Sequence, residues 1–288
     1  MIHGKHSTVS VLSLFLYTAE QFIAGSTMTL IDIGANLTHE SFAHDLPEIL
    51  AAAQSERVTK LIVTGASVTG SENALALAKR FPGTLYSTAG IHPHHAEEAT
   101  PTGLSAIDAL LAAPEVKAVG ETGLDFFRDF SDRNDQQTSF LAHIELAKVH
   151  QLPMFLHERD AYPSFYETLA PHRDQLNAIV VHCFTGEAEA LEAYLDLDLH
   201  IGITGWICDE RRGKHLVDLV KQIPLNRLML ETDSPYLMPR TLRPKPKSRR
   251  NEPKHLSHIC EYVADILGLS TAALADATTA NANEFFRL

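Results

Sequence analysis

From Leu30 onward the chain alternates short apolar runs with longer amphipathic stretches. The runs at Leu30–Gly34, Lys60–Gly65, Leu85–Ile91, Lys117–Glu121, Pro153–His157, Ala178–His182, Leu199–Thr204 and Leu228–Thr232 are short and apolar on consecutive positions, the pattern of parallel strands buried on both faces. Between them, helix-period stretches lie at Ala43–Ser55, Gly70–Phe81, Thr102–Ala112, Asp132–His150, Tyr162–Leu169, Ala188–Asp196 and Gly213–Gln222, and two more, near Lys254–Leu267 and Thr271–Phe286, close the chain. Eight strands in strict alternation with helices predict an α/β fold, a single (β/α)8 TIM barrel. Met28 to Leu288 is 261 residues, against about 250 for a typical barrel. The competing open doubly wound sheet calls for a GxGxxG after the first strand, and none is present. With no internal repeat and no low-complexity linker, residues 28–288 are expected to form one barrel domain.

Residues 1–27 do not fit the alternation. Val9 to Tyr17 is apolar and follows Lys5, a faint likeness to a signal peptide, yet Glu20 comes soon after and no A-x-A-like cleavage site appears. The reading is that Met28 is the working start and that residues 1–27 are a non-native or disordered extension.

Composition narrows the class. Hydrophobic content of 45% with 21% charged residues describes an ordinary soluble globular chain. No apolar run reaches membrane-spanning length. Cys183, Cys208 and Cys260 are odd in number and form no CxxC, which suits a reducing cytosol, so a cytoplasmic protein is expected; a monomer is expected as well. The formal charge of −12 argues against a surface coated in positive charge, although it leaves room for a local basic groove.

The chemistry sits where strands end. Glu121, His157, His182 and Asp233 each close an apolar run, and in a parallel barrel such ends converge on one mouth. A buried ionised carboxylate is costly unless paired or metal-bound. Two carboxylates and two imidazoles together make a divalent-metal site suited to Mg²⁺, Mn²⁺ or Zn²⁺. Cys183, next to His182, is expected to face the other way along its strand, into the core.

The segments GIHPH (90–94), GETGLDF (120–126), HERDA (157–161), HCFTG (182–186), GITGW (202–206), ETDSPYL (231–237) and RRNEP (249–253) closely resemble the TatD family of metal-dependent deoxyribonucleases, whose barrel is of the amidohydrolase type. The resemblance runs from about Met28 to the C-terminus. It implies Glu121, His157, His182 and Asp233 as metal ligands, with Asp233, Glu121 and the nearby His92 as catalytic residues, and it favours Mg²⁺. It also implies a phosphodiester hydrolase working 3′→5′ on single-stranded DNA ends, with RNA as a further substrate and DNA repair as its setting. One departure stands out. Most of the wider family opens its first strand with an H-x-H pair, whereas here Gly34 and Asn36 occupy those two places. A one-metal protein site is therefore expected. The DIGANLT segment resembles one subgroup of the family, and Asp32 is read either as a partner of a ligand or as a substitute for one.

Cationic help is at hand for a polyanion. Arg240, Arg243, Lys245, Lys247, Arg249, Arg250 and Lys254, interleaved with Pro244 and Pro246, form a loop directly after the strand that carries Asp233, so it is expected over the mouth. Arg159, Arg211 and Arg212 add phosphate-facing candidates, and Phe126, Phe127, Phe130 and Trp206 add rings for stacking on unpaired bases. Two rivals stand beside this reading. A small-molecule amidohydrolase fits the barrel but has no use for these charges. A catalytically weak nucleic-acid-binding barrel draws its support from the missing H-x-H pair.

Overall fold

The computed structural model describes residues 28–288; the extension expected over 1–27 lies outside the described residues. Eight strands form one sheet in the order of the chain, every neighbouring pair parallel. They are β1 Leu30–Ala35, β2 Val58–Val63, β3 Leu85–Ala89, β4 Val116–Asp125, β5 Met154–Arg159, β6 Ile179–Val181, β7 His200–Ile203 and β8 Leu228–Leu230. The last strand returns to the first. Asp233 N–H donates to Gly34 O at 2.8 Å, and Asn36 N–H donates to Ser234 O at 2.7 Å. A side chain completes this seam: Asp32 accepts from Thr232 N–H at 2.9 Å and lies 2.5 Å from Thr232 Oγ1. Asp32 therefore faces β8 and joins the two ends of the sheet.

The helices between strands are α1 Leu46–Ser55, α2 Val68–Arg80, α3 Pro101–Leu111, α4 Arg133–His150, α5 Tyr162–Leu169, α6 Ala188–Asp196 and α7 Leu216–Leu219, followed by α8 Leu256–Leu267 and α9 Thr271–Phe286. Local chemistry starts several of them: Ser67, Thr100, Asp132 and Ser270 each accept from a backbone N–H of the first turn. The expected helix over 213–222 shrinks to one α-turn and a 3₁₀ turn that ends at Gln222, two residues before Pro224, whose ring disfavours helix in the residue before it. β4 runs four residues past its expected end, because Thr122 to Asp125 stay paired with Leu156 to Arg159. Met154, Phe155 and Leu156 are all fully buried on successive positions, as expected for a strand with core on both faces.

One apolar layer lies between strands and helices. A second fills the barrel, where Ile31, Ile33, Ile62, Ala118, Phe155, Val180 and Met229 meet Ala282, Phe285 and Phe286 of α9. The last helix thus plugs the N-terminal end of the barrel and leaves the other end as the mouth.

Candidate active site

At the mouth three imidazoles converge on one carboxylate oxygen. Glu121 Oε1 lies 2.6 Å from His182 Nε2, 3.2 Å from His157 Nδ1 and 3.4 Å from His92 Nε2. Glu121 reaches this position through an irregularity in the β4–β5 register between Val119 and Thr122. Gly120 allows it, with φ +144° and a backbone so close to β5 that a Cβ there would lie 2.0 Å from Phe155 O. Burial opposes ionisation of Glu121, but His182 and His92, together with hydrogen bonds from His157 and His182, outweigh it and hold the carboxyl well below its usual range. Burial works against charge on His182 as well, yet Glu121 and Glu231 raise it well above its ordinary value. For His92 burial prevails and keeps the ring neutral.

A carboxylate stands behind each of the other two rings. Asp125 Oδ2 lies 3.2 Å from His157 Nε2 and 2.8 Å from His94 Nε2. Its other oxygen accepts from the N–H groups of Phe127 and Arg128 at 3.0 and 2.7 Å. Glu231 is fully buried, 3.2 Å from His182 Nδ1, and accepts from Cys183 N–H at 2.5 Å. His157 therefore turns Nδ1 toward Glu121, whereas His182 turns Nε2. A carboxylate at the far ring nitrogen fixes orientation and tautomer in metal-ligating histidines generally.

Asp233 completes the group. It lines the same cavity, and Asn36 Nδ2 donates to its Oδ1 at 2.8 Å. Burial pushes its pKa up to about 7, with His182 opposing and Glu121 and Glu231 assisting. Nitrogen and oxygen donors from His92, Glu121 and His157 lie within 4.8 Å of one another. Such a borderline set, free of thiolate, fits a divalent ion.

The structure accounts for the two unusual residues at the end of β1, Gly34 within the strand and Asn36 just after it. A Cβ at Gly34 would lie 2.4 Å from Glu231 Oε2, and a Cβ at Gly202 would lie 2.4 Å from Glu231 Oε1. The Glu231 carboxylate thus fills the space in which a side chain at 34 would begin. Asn36 holds Asp233 in place. Asp32, held by Thr232, points at the seam, so neither role considered for it at the metal is what the geometry shows.

Among the residues expected to meet substrate, Arg159, Arg212, Phe127, Phe130 and Trp206 line the cavity, whose volume is about 1100 Å³, whereas Arg211, Arg249, Arg250 and Phe126 do not. Arg250 is drawn elsewhere by acids: it pairs with Asp45 at 2.7 Å and Glu252 at 3.0 Å and lies over Phe42. Arg249 is exposed outside the cavity. Arg211 lies 3.8 Å from Asp209, and its neighbour Arg212 takes the place at the wall. Phe126 packs on the core under Arg133, while Phe127 and Phe130 line the mouth. The basic 240–254 loop does not form the wall either, since Arg240 leans toward Asp209 and Lys254 pairs with Glu252. Cys183 lines the cavity instead of the core, because β6 stops at Val181 and Cys183 takes φ +47°, so strand alternation no longer applies.

Sequence reasoning missed Asp125 and Glu231, although both lie inside the motifs that carry the family resemblance. A usable signal was present: glycine inside an apolar strand, as at Gly34 and Gly202, marks a place where something must come close.

The family model described as "TatD related DNase" matches residues 31–287. A protein of Erwinia billingiae named 3′-5′ ssDNA/RNA exonuclease TatD is 48% identical over 259 residues, covering 90% of this chain and 99% of its own. A Salmonella typhimurium protein of the same name is 46% identical over 259 residues, again covering 90% and 99%. Among solved structures, the TatD homologue YJJV from Escherichia coli K12 superposes with a TM-score of 0.82 at 28% identity, covering 90% of this chain and 98% of its own.

Proposed function

Because the chain belongs to the TatD-related DNase family, we propose that it is a metal-dependent 3′→5′ exonuclease that hydrolyses phosphodiester bonds at the ends of single-stranded DNA and of RNA. The carrying observation is the convergence of His92, His157 and His182 on Glu121 beside Asp233, at the open end of a barrel. We assign Glu121, His157, His182 and Asp233 as the residues that would hold a divalent ion, with His92 beside them and Mg²⁺ preferred over Mn²⁺ or Zn²⁺. When bound, such an ion neutralises charge on the non-bridging oxygens and makes hydroxide available near neutral pH.

The protein's own groups divide the remaining work. Asp233, with one oxygen held by Asn36, accepts the proton of the attacking water through the other. Glu121 stays ionised as a ligand. Asp125 and Glu231 keep the two imidazoles turned inward. His92 stays neutral and closes the third side of Glu121. Among the described residues no helix is long and apolar enough to cross a membrane, and the reading places the enzyme in the cytoplasm as a monomer.

Release of labelled nucleotide from a 3′-labelled single strand, with and without chelator, tests the reading. Chelator-sensitive release is expected, and no release with Mg²⁺, Mn²⁺ or Zn²⁺ would defeat it. Asp233→Asn is expected to slow the metal-loaded enzyme by roughly 10²–10⁴-fold; full activity with metal still bound would remove Asp233 from the base role.

A further inference from the structure

One wall of the mouth is a run of alternating cations and rings. Arg128 lies 5.8 Å from the Phe127 centroid and Arg159 lies 4.6 Å from it. Arg159 is also 5.0 Å from Trp206, and Arg212 is 4.4 Å from the same indole. These residues come from the β4 loop, the end of β5 and the segment after β7, and all five line the cavity. Phe130 extends the run: it lines the cavity, tilts on His94 with centroids 4.7 Å apart, and is 68% exposed.

Packing of this kind settles what each member can do. The guanidinium of Arg159 is occupied by two aromatic rings, so its planar face is not offered to a base. Its in-plane N–H groups are a different matter: among the described residues the nearest carboxylate is Asp160, at 3.8 Å, beyond hydrogen-bond reach. A flat fork held in position with its edge unspent suits bidentate contact with a phosphate. Phe130, with one side on His94 and most of its surface in solvent, is a ring without a full set of neighbours. Stacking on it requires a base free of its complement.

We propose that this ladder is the strand-holding subsite for single-stranded nucleic acid, in which Arg159 grips the phosphodiester adjacent to the one being cut and Phe130 carries an unpaired base. The proposal rests on the nuclease reading and adds where the strand lies: along the β4–β5–β7 side of the mouth, two residues from His157. Arg212 and Arg128 extend the cationic line in the two directions. Phe127 and Trp206 serve chiefly to hold Arg159 flat.

Arg159→Lys keeps the charge but loses the planar fork, and Phe130→Ala removes the platform. Both are compared with the wild type on a single-stranded oligonucleotide and on bis(4-nitrophenyl) phosphate, a diester with no neighbouring phosphate. Arg159→Lys is expected to raise KM for the oligonucleotide about tenfold or more, and Phe130→Ala about fivefold or more. The loss on the small diester is expected to be smaller than on the oligonucleotide for both, and unchanged circular dichroism and melting temperature show that the variants are folded. Unchanged oligonucleotide KM in both variants, with the wild type active, overturns the subsite alone. An equal loss on the small diester overturns it too, because Arg159 would then act at the reacting phosphate. A wild type that releases no nucleotides overturns the nuclease reading and this proposal with it.

Discussion

Two sides of the mouth hold acids away from bulk solvent and treat them in opposite ways. On the β4–β5 side, Glu121 and Asp125 are surrounded by imidazoles, and their carboxyls are held below the usual range against the cost of burial. On the β8–β1 side, Asp32 meets a hydroxyl and backbone amides, Asp233 meets the Asn36 amide, and burial pushes them up to about 8 and about 7. Glu121 and Asp32 are both buried, so for this pair the difference comes from the partners. Burial always favours the neutral acid, and only cationic or strongly donating neighbours reverse that. The partners thus favour ionised carboxylates on one side and carboxyls that can take or keep a proton on the other.

Removing the carboxylate on which the imidazoles converge should break the comparison most severely. Glu121→Ala takes away the shared oxygen of three rings. It is expected to lower kcat/KM by about 10³-fold, the equivalent of ~4 kcal/mol, with a matching loss of divalent-metal binding by calorimetry. A metal affinity that survives intact would remove Glu121 from the ligand set.

A milder change sharpens the contrast. Asp125→Asn leaves Glu121 in place but loosens the hold on His157, so metal affinity is expected to fall roughly 10–100-fold. If ring-nitrogen NMR of the metal-free variant shows His157 with its tautomer and order unchanged, Asp125 is not what positions it.

The smallest effect on activity belongs to Asp32. Its folded-state pKa of about 8 lies above the ordinary 3.8, so the folded protein binds this proton more tightly than the unfolded chain. The associated stability is fully present below about pH 4 and is lost as pH rises through about 8. Asp32→Asn keeps the shape and cannot ionise. It is expected to gain about 1 kcal/mol over wild type near pH 8, ~2–4 °C in Tm, with a shallower fall of stability from acid to neutral pH and nuclease activity retained. Melting curves in chelator across that range check it, and a variant less stable than wild type at pH 8 would show that Asp32 is ionised in the folded protein.

The barrel was legible because each strand is an apolar run bounded by a helix-period stretch, a pattern that parallel strands with core on both faces impose directly. The gathering of Glu121, His157, His182 and Asp233 at one mouth was legible too, since a charged side chain at the end of such a run is costly to bury without a partner or an ion beside it. What the sequence concealed depends on close approach between distant segments. Glu231 next to Asp233 reads as another acid until Gly34 and Gly202 are seen to yield it space from two other strands. Asp125 reads as loop because the four-residue extension of β4 arises only from pairing with β5. The basic 240–254 loop misled for a related reason: Asp45, Asp209 and Glu252, remote or unremarkable in the sequence, divert Arg240, Arg250 and Lys254 from the mouth. Charge density along a chain does not say which charges will be spent on neighbours.

Phe285 and Phe286, closing the far end of the barrel, have a consequence for traffic. A barrel filled with side chains is a vessel with one opening, not a conduit. On the function proposed above, a strand end and the nucleotide cut from it share that opening. Each turnover therefore ends with a departure by the way of entry, before the shortened strand can advance to the same place.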